Sequence, residues 1–193
     1  MIKTFKVIFI WTCYFFTMAL VLKIFFADVN YAFSQKSTLV LYEKKLESAV
    51  EAIDLNPNEP AYYVGKAKII LTSPYYGNIP DSFEKFEVLS LLKHAQELNK
   101  SNLVTLSNSI SLYAYLAKSD PTSNFSSNNI DLDYIEYARS FYSILKYDYS
   151  TDVGILVKIA NYEKKLGLEK EYLETIDMIN LLRPGLLDWY VLD

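Results

Sequence analysis

Residues 52–57 read Ala-Ile-Asp-Leu-Asn-Pro, and residues 60–67 just beyond them read Pro-Ala-Tyr-Tyr-Val-Gly-Lys-Ala. The first stretch is a helix ending: Pro57 has no amide hydrogen to continue the ladder, and it turns the chain. The second opens a new helix, with an aromatic at Tyr63 and a small residue four positions later at Ala67. Those two face the same side, so an adjacent helix can approach closely there. The ending recurs at residues 95–100 (Ala-Gln-Glu-Leu-Asn-Lys) and at residues 179–184 (Ile-Asn-Leu-Leu-Arg-Pro). A looser version stands at residues 144–149 (Ile-Leu-Lys-Tyr-Asp-Tyr).

The segments between these endings carry apolar positions in steps of three and four, the period of a helix with one buried face. Leu39, Tyr42, Leu46, Ala49, Val50 and Ile53 form the stripe of residues 38–55. Leu103, Leu106, Ile110, Tyr113 and Ala117 form that of residues 103–117. Ile155, Ile159, Tyr162 and Leu166 mark residues 152–166, and Tyr172, Ile176 and Ile179 mark residues 169–182. A hairpin of two such helices leaves apolar surface that only a neighbouring hairpin can cover. The pattern therefore predicts an all-α, tetratricopeptide-like α-solenoid of about three to four helical hairpins. Successive endings lie 43, 49 and 35 residues apart, against roughly 34 for the standard unit. The excess is local. Residues 72–82 and 118–133 are rich in Pro, Gly, Ser and Asn, lack an apolar period, and fall between the two helices of a unit. Trp189 and Tyr190 resemble the opening of a further hairpin.

Residues 7–22 are apolar or weakly polar without interruption, and the run resumes after Lys23 to Ala27. A bilayer core needs about 20 residues of helix, and a lysine near one end reaches the headgroups with its stem. Cleavage after Ala27 or Ala32 would place Phe25 or Asn30 where a signal peptidase requires a small side chain. The expectation is an uncleaved N-terminal transmembrane helix over residues 1–27, contacting lipid through residues 7–27, and a repeat domain over residues 28–193. Lys3 and Lys6 precede the span, which predicts a cytoplasmic N-terminus and an extracytoplasmic repeat domain.

Residues 28–193 hold 16 basic and 23 acidic residues, a net charge of −7. An acidic domain without a basic stripe lacks the electrostatic footprint of a nucleic-acid binder. The single cysteine, Cys13, lies in the apolar run, and the single histidine, His94, has only Glu97 as an acidic neighbour at helical spacing. No metal or cofactor set emerges, and no nucleophile has a base beside it. Asp131 and Asp133 suit the capping of a helix starting near Tyr134 better than catalysis. A non-catalytic role is expected. Repeat stacks bind along the concave surface lined by their first helices. Phasing from Pro57, Lys100 and Tyr149 directs Lys68, Ser107, Ser111, Tyr115, Glu163 and Lys164 there, a mixed surface suited to a protein or peptide segment. Tyr75 and Tyr76 in the first insert, with Tyr115, are candidates for stacking on sugar rings.

The Ala-Asp-x-x-Tyr-Ala junction at residues 27–32, the stretch from Ala52 to Tyr63, residues 98–106 and the ending at Arg183-Pro184 together resemble a known arrangement. It is the last transmembrane helix and trailing repeats of O-antigen polymerase and ligase-type membrane proteins. The many membrane helices and long loops that carry glycan transfer in those enzymes have no counterpart in this chain, so no catalytic residue carries over. The resemblance implies a place beside envelope glycan-assembly machinery, as a detached tail or accessory subunit. Residue chemistry alone points to a membrane-anchored scaffold for protein–protein interaction.

Overall fold

The computed structural model describes residues 2–36, 41–72, 80–120, 124–126 and 129–188, with side chains from Ile8 onward. Those residues form helices α1 (Ile2–Ser34), α2 (Tyr42–Leu55), α3 (Pro60–Leu71), α4 (Ser82–Leu98), α5 (Leu103–Leu116), α6 (Leu132–Asp148), α7 (Val153–Lys165) and α8 (Glu169–Leu182), then a 3-10 turn at Leu186–Asp188. The only extended pairing among them is an isolated bridge between Lys118 and Ile130. Trp189 and Tyr190 lie outside the described residues, as do Tyr75 and Tyr76.

Local chemistry sets the helix ends. Pro60 occupies the first turn of α3, where its missing amide costs nothing, and the Glu59 carboxylate accepts from the Ala61 amide at 3.2 Å. Asp81 and Glu84 cap α4 reciprocally: each carboxylate accepts the other residue's amide, at 2.8 and 3.1 Å. Asn102, Asp131 and Asp152 cap α5, α6 and α7 in the same sense. Gly167, at φ +70°, ends α7, and the Leu168 amide reaches back to the Glu163 carbonyl at 2.9 Å.

The first helix differs from the rest. Every side chain from Ile8 to Phe26 is exposed, including Trp11 and seven phenylalanines and isoleucines that are each more than half exposed. The chain thus has one N-terminal helix long and apolar enough to cross a membrane, and none of the other described residues covers its apolar stretch. The hydroxyls of Thr12 and Thr17 donate to the carbonyls of Ile8 and Cys13, at 3.0 and 2.9 Å, so neither is left unpaired on that apolar surface. The helix does not stop at the expected boundary after Ala27. It continues two more turns, and from Ala27 its face is buried: Ala27 is 0% and Ser34 1% exposed.

Those last turns serve as the first inner helix of the stack. Ala27 packs with Ala52 of α2 and Tyr62 of α3. The pairs α1–α2, α3–α4, α5–α6 and α7–α8 form antiparallel hairpins, and α1, α3, α5 and α7 also touch one another in series. Alanines 49, 52, 67, 95, 114, 138 and 160 are all 0% exposed, and their small side chains let the axes approach. One apolar cluster runs from Tyr63 of α3 to Leu168, a second joins α7 to α8, and a third joins α1, α2 and α3. Tyr142 is fully buried and its hydroxyl donates to the Ile110 carbonyl at 2.8 Å, pinning α6 to α5.

Candidate functional site

A groove of about 320 Å³ opens along the inner helices, lined by Tyr31 of α1 and Gln35 just after it, Gly65, Lys68 and Thr72 on the α3 side, and Asn108, Ser111 and Tyr115 of α5. Its first wall depends on a glycine. A Cβ at position 65 would stand 2.4 Å from the Tyr31 ring and 2.8 Å from Gln35 Nε2, so only glycine lets α1 and α3 close to this distance. The Tyr31 ring then packs on Tyr62 with centroids 5.0 Å apart, and the Tyr62 hydroxyl donates to the Asp28 carboxylate. Burial, and the Asp28 carboxylate after it, raise the Tyr62 phenol above its ordinary value; burial and Glu59 raise that of Tyr31. Both phenols therefore stay neutral hydrogen-bonding groups near pH 7.

Three of the six residues assigned to the concave surface meet in this groove: Lys68, Ser111 and Tyr115. Ser107 lies further along α5, where the Lys158 ammonium donates to its carbonyl at 2.6 Å and its hydroxyl at 3.1 Å. Lys164 is exposed on α7, one unit beyond. Glu163 is not on a surface at all. It is 1% exposed, because it follows the fully buried Ile159 and Ala160 by four and three positions and so shares their inward stripe. Its carboxylate pairs with the Lys146 ammonium at 2.9 Å and accepts from the Thr175 hydroxyl at 2.6 Å, joining α6, α7 and α8. A charge on that stripe is tolerable only because two other helices supply its partners.

Sequence phasing missed Tyr31, Gln35, Gly65, Thr72 and Asn108. The usable signal was the mid-helix glycine at 65, which costs helix stability unless something must come close.

Residues of the second insert pack beside Tyr115, next to the groove. The Lys118 ammonium sits 5.4 Å from the Tyr115 ring centre and 4.7 Å from that of Phe125, and burial pushes its pKa down. The Ser119 amide donates to the Asn129 carbonyl at 3.0 Å and the Asp131 amide to the Ala117 carbonyl at 2.7 Å. The Asn129 side chain clamps the Asp120 backbone from both sides, accepting from its amide and donating to its carbonyl. Both oxygens of Asp131 are occupied: one caps α6, the other pairs with buried Lys85 at 2.7 Å. His94 packs edge-on against Tyr63 and lies 3.9 Å from Glu97. Among the described residues no three His, Cys, Asp or Glu side chains converge.

The groove thus offers one ammonium, amides, hydroxyls and aromatic faces. That set hydrogen-bonds to a chain with exposed peptide groups. A comparison with models of known families finds no match, and a comparison with curated proteins finds none either.

Proposed function

We propose that the protein is a membrane-anchored, tetratricopeptide-like scaffold that holds a protein or peptide partner in the groove between α1, α3 and α5. The observation that carries this reading is the unbroken run of α1 from its exposed apolar stretch into the groove wall. At 1.5 Å per residue, Tyr31 and Gln35 stand about 6 and 12 Å beyond Ala27, where the apolar run ends. A partner gripped there is held just above the bilayer. Lys3 and Lys6 put the N-terminus in the cytoplasm and the groove on the extracytoplasmic side.

The test is site-specific photocrosslinking in the native membrane, with the reactive residue at position 68, 111 or 115 and, for comparison, at exposed Leu132. One common adduct from the three groove positions, missing from 132 and weakened by Lys68→Glu, is the expected result. No reproducible adduct from any groove position would remove the reading.

A second reading keeps the anchor and stack but assigns them to envelope glycan assembly, as a non-catalytic companion of an O-antigen polymerase or ligase-type system. It is favoured by the junction at residues 27–32, whose Ala27, Asp28 and Tyr31 all pack or bond into the stack. Deleting the gene and comparing surface glycan profiles tests it; an unchanged profile withdraws its support.

A further inference from the structure

Both ends of the helical stack expose apolar side chains, but α1 leaves toward its apolar stretch from only one of them, and this fixes which end meets lipid. Contacts show the inner helices to be parallel. Asp28 and Tyr31 meet Tyr62, then Tyr31 and Gln35 flank Gly65. Further along, Ser107 of α5 bonds Lys158 of α7 and, four residues on, Ser111 bonds Tyr162, so these two helices advance in the same direction. The turns between units, at residues 56–59, 99–102 and 149–152, therefore gather at the end from which α1 departs toward its N-terminus. Leu55 packs into the same cluster as Ala27, so the first of these turns is level with the last residues of the apolar run. Along this edge large apolar side chains stand in the open: Val104 is 71% and Tyr147 84% exposed.

We propose that this edge of the stack rests on the bilayer that holds α1, with Val104 and Tyr147 entering the headgroup–acyl boundary. The proposal rests on the reading of α1 as a membrane span. Its occupant is lipid because the edge is continuous with the lipid-facing surface of α1 and an unbroken helix holds it there. The contact is apolar, not electrostatic. Exposed Asp54, Glu97 and Asp148 share this edge with Lys100 and Arg183, and that balance does not draw it toward anionic headgroups. A tyrosine suits the position, with its ring in the acyl boundary and its hydroxyl in water. The groove then opens parallel to the membrane, and the two long inserts sit on the side facing away.

The test uses the full chain in a Cys13→Ser background, reconstituted in phosphatidylcholine vesicles. A single cysteine carrying an environment-sensitive fluorophore is placed at Phe15, Val104, Tyr147 or Leu132. Leu132 is 75% exposed at the opposite edge and serves as the comparison. The expected result is quenching by lipid-borne nitroxide at 15, 104 and 147, unchanged by added salt, with 132 reached only by aqueous iodide. If 15 is quenched from the lipid while 104 and 147 behave like 132, the resting edge is wrong and the span survives. If 15 answers only to iodide, the span itself fails. Equal lipid quenching at all four positions would also overturn the proposal, since no edge would then be selected.

Discussion

Glu163 is the most deeply buried charged side chain among the described residues, and Lys146 and Thr175 compensate its carboxylate. Truncating one partner of such a pair strands the other charge, at a cost of about 3–5 kcal/mol. Glu163→Ala is expected to lose that much in denaturant unfolding of the detergent-solubilised protein. The double substitution Glu163→Met with Lys146→Met is expected to recover most of it, since no charge is then left alone. An additive double variant would contradict the pairing. Gly65 makes a different kind of demand. Gly65→Ala forces a methyl into the Tyr31 ring and is expected to cost about 1–3 kcal/mol by overpacking. In a Tyr31→Ala background the same change should cost little, and an equal cost in both backgrounds would show that the ring is not the obstacle.

Among the elements, α6 shows how one residue serves two. Asp131 caps the helix and also neutralises Lys85 of α4, which is buried and donates a second bond to the Lys118 carbonyl. Asp131→Asn keeps an acceptor for the cap but removes the charge, whereas Asp131→Ala removes both. The loss of stability is expected to be larger for alanine by about 1 kcal/mol, the usual worth of a cap. Equal losses on thermal melting would mean that the cap contributes nothing. Most helix ends were legible because they are written locally. The stripe from Leu103 and the run of residues 169–182 both coincide with helices in the structure, and the insert read as residues 72–82 gives way to α4 at Ser82, one residue inside that range. The merging of anchor and first inner helix was not legible. Hydropathy falls at Asp28 while the backbone continues, and composition reports the change of surroundings without reporting whether the helix breaks. Glu163 escaped for a similar reason. Its polarity argued for solvent, and its compensation comes from Lys146 and Thr175 on neighbouring helices, which no local period reveals. The groove was half legible: Lys68 of α3 and Ser111 and Tyr115 of α5 follow from phasing, while its α1 side required knowing that α1 goes on.

For the molecule as a whole, tyrosine burial sets the response to alkali. Burial raises the phenols of Tyr31, Tyr62, Tyr63, Tyr113, Tyr134, Tyr142 and Tyr162 above their ordinary value, with Tyr113 pushed up to about 12. Between about pH 10 and 12 the native state keeps protons that the unfolded chain releases. Their contribution is whole below pH 10 and is lost as pH rises through that window. Lys118 and Lys158 act in the opposite sense, since burial pushes their pKa values down and their cost fades as pH climbs. Two lysines do not offset seven tyrosines. The melting temperature is expected to drop steeply above about pH 10, together with the rise of tyrosinate absorbance. A flat melting temperature across that window would contradict the buried phenols.

The account turns on α1 being at once a rod in lipid and the first inner helix of the stack. Washing membranes from the native host with alkaline carbonate and probing pellet and supernatant for the chain tests this most directly. The account predicts the full-length chain in the pellet, released only by detergent. Full-length or shortened chain in the carbonate supernatant would contradict it.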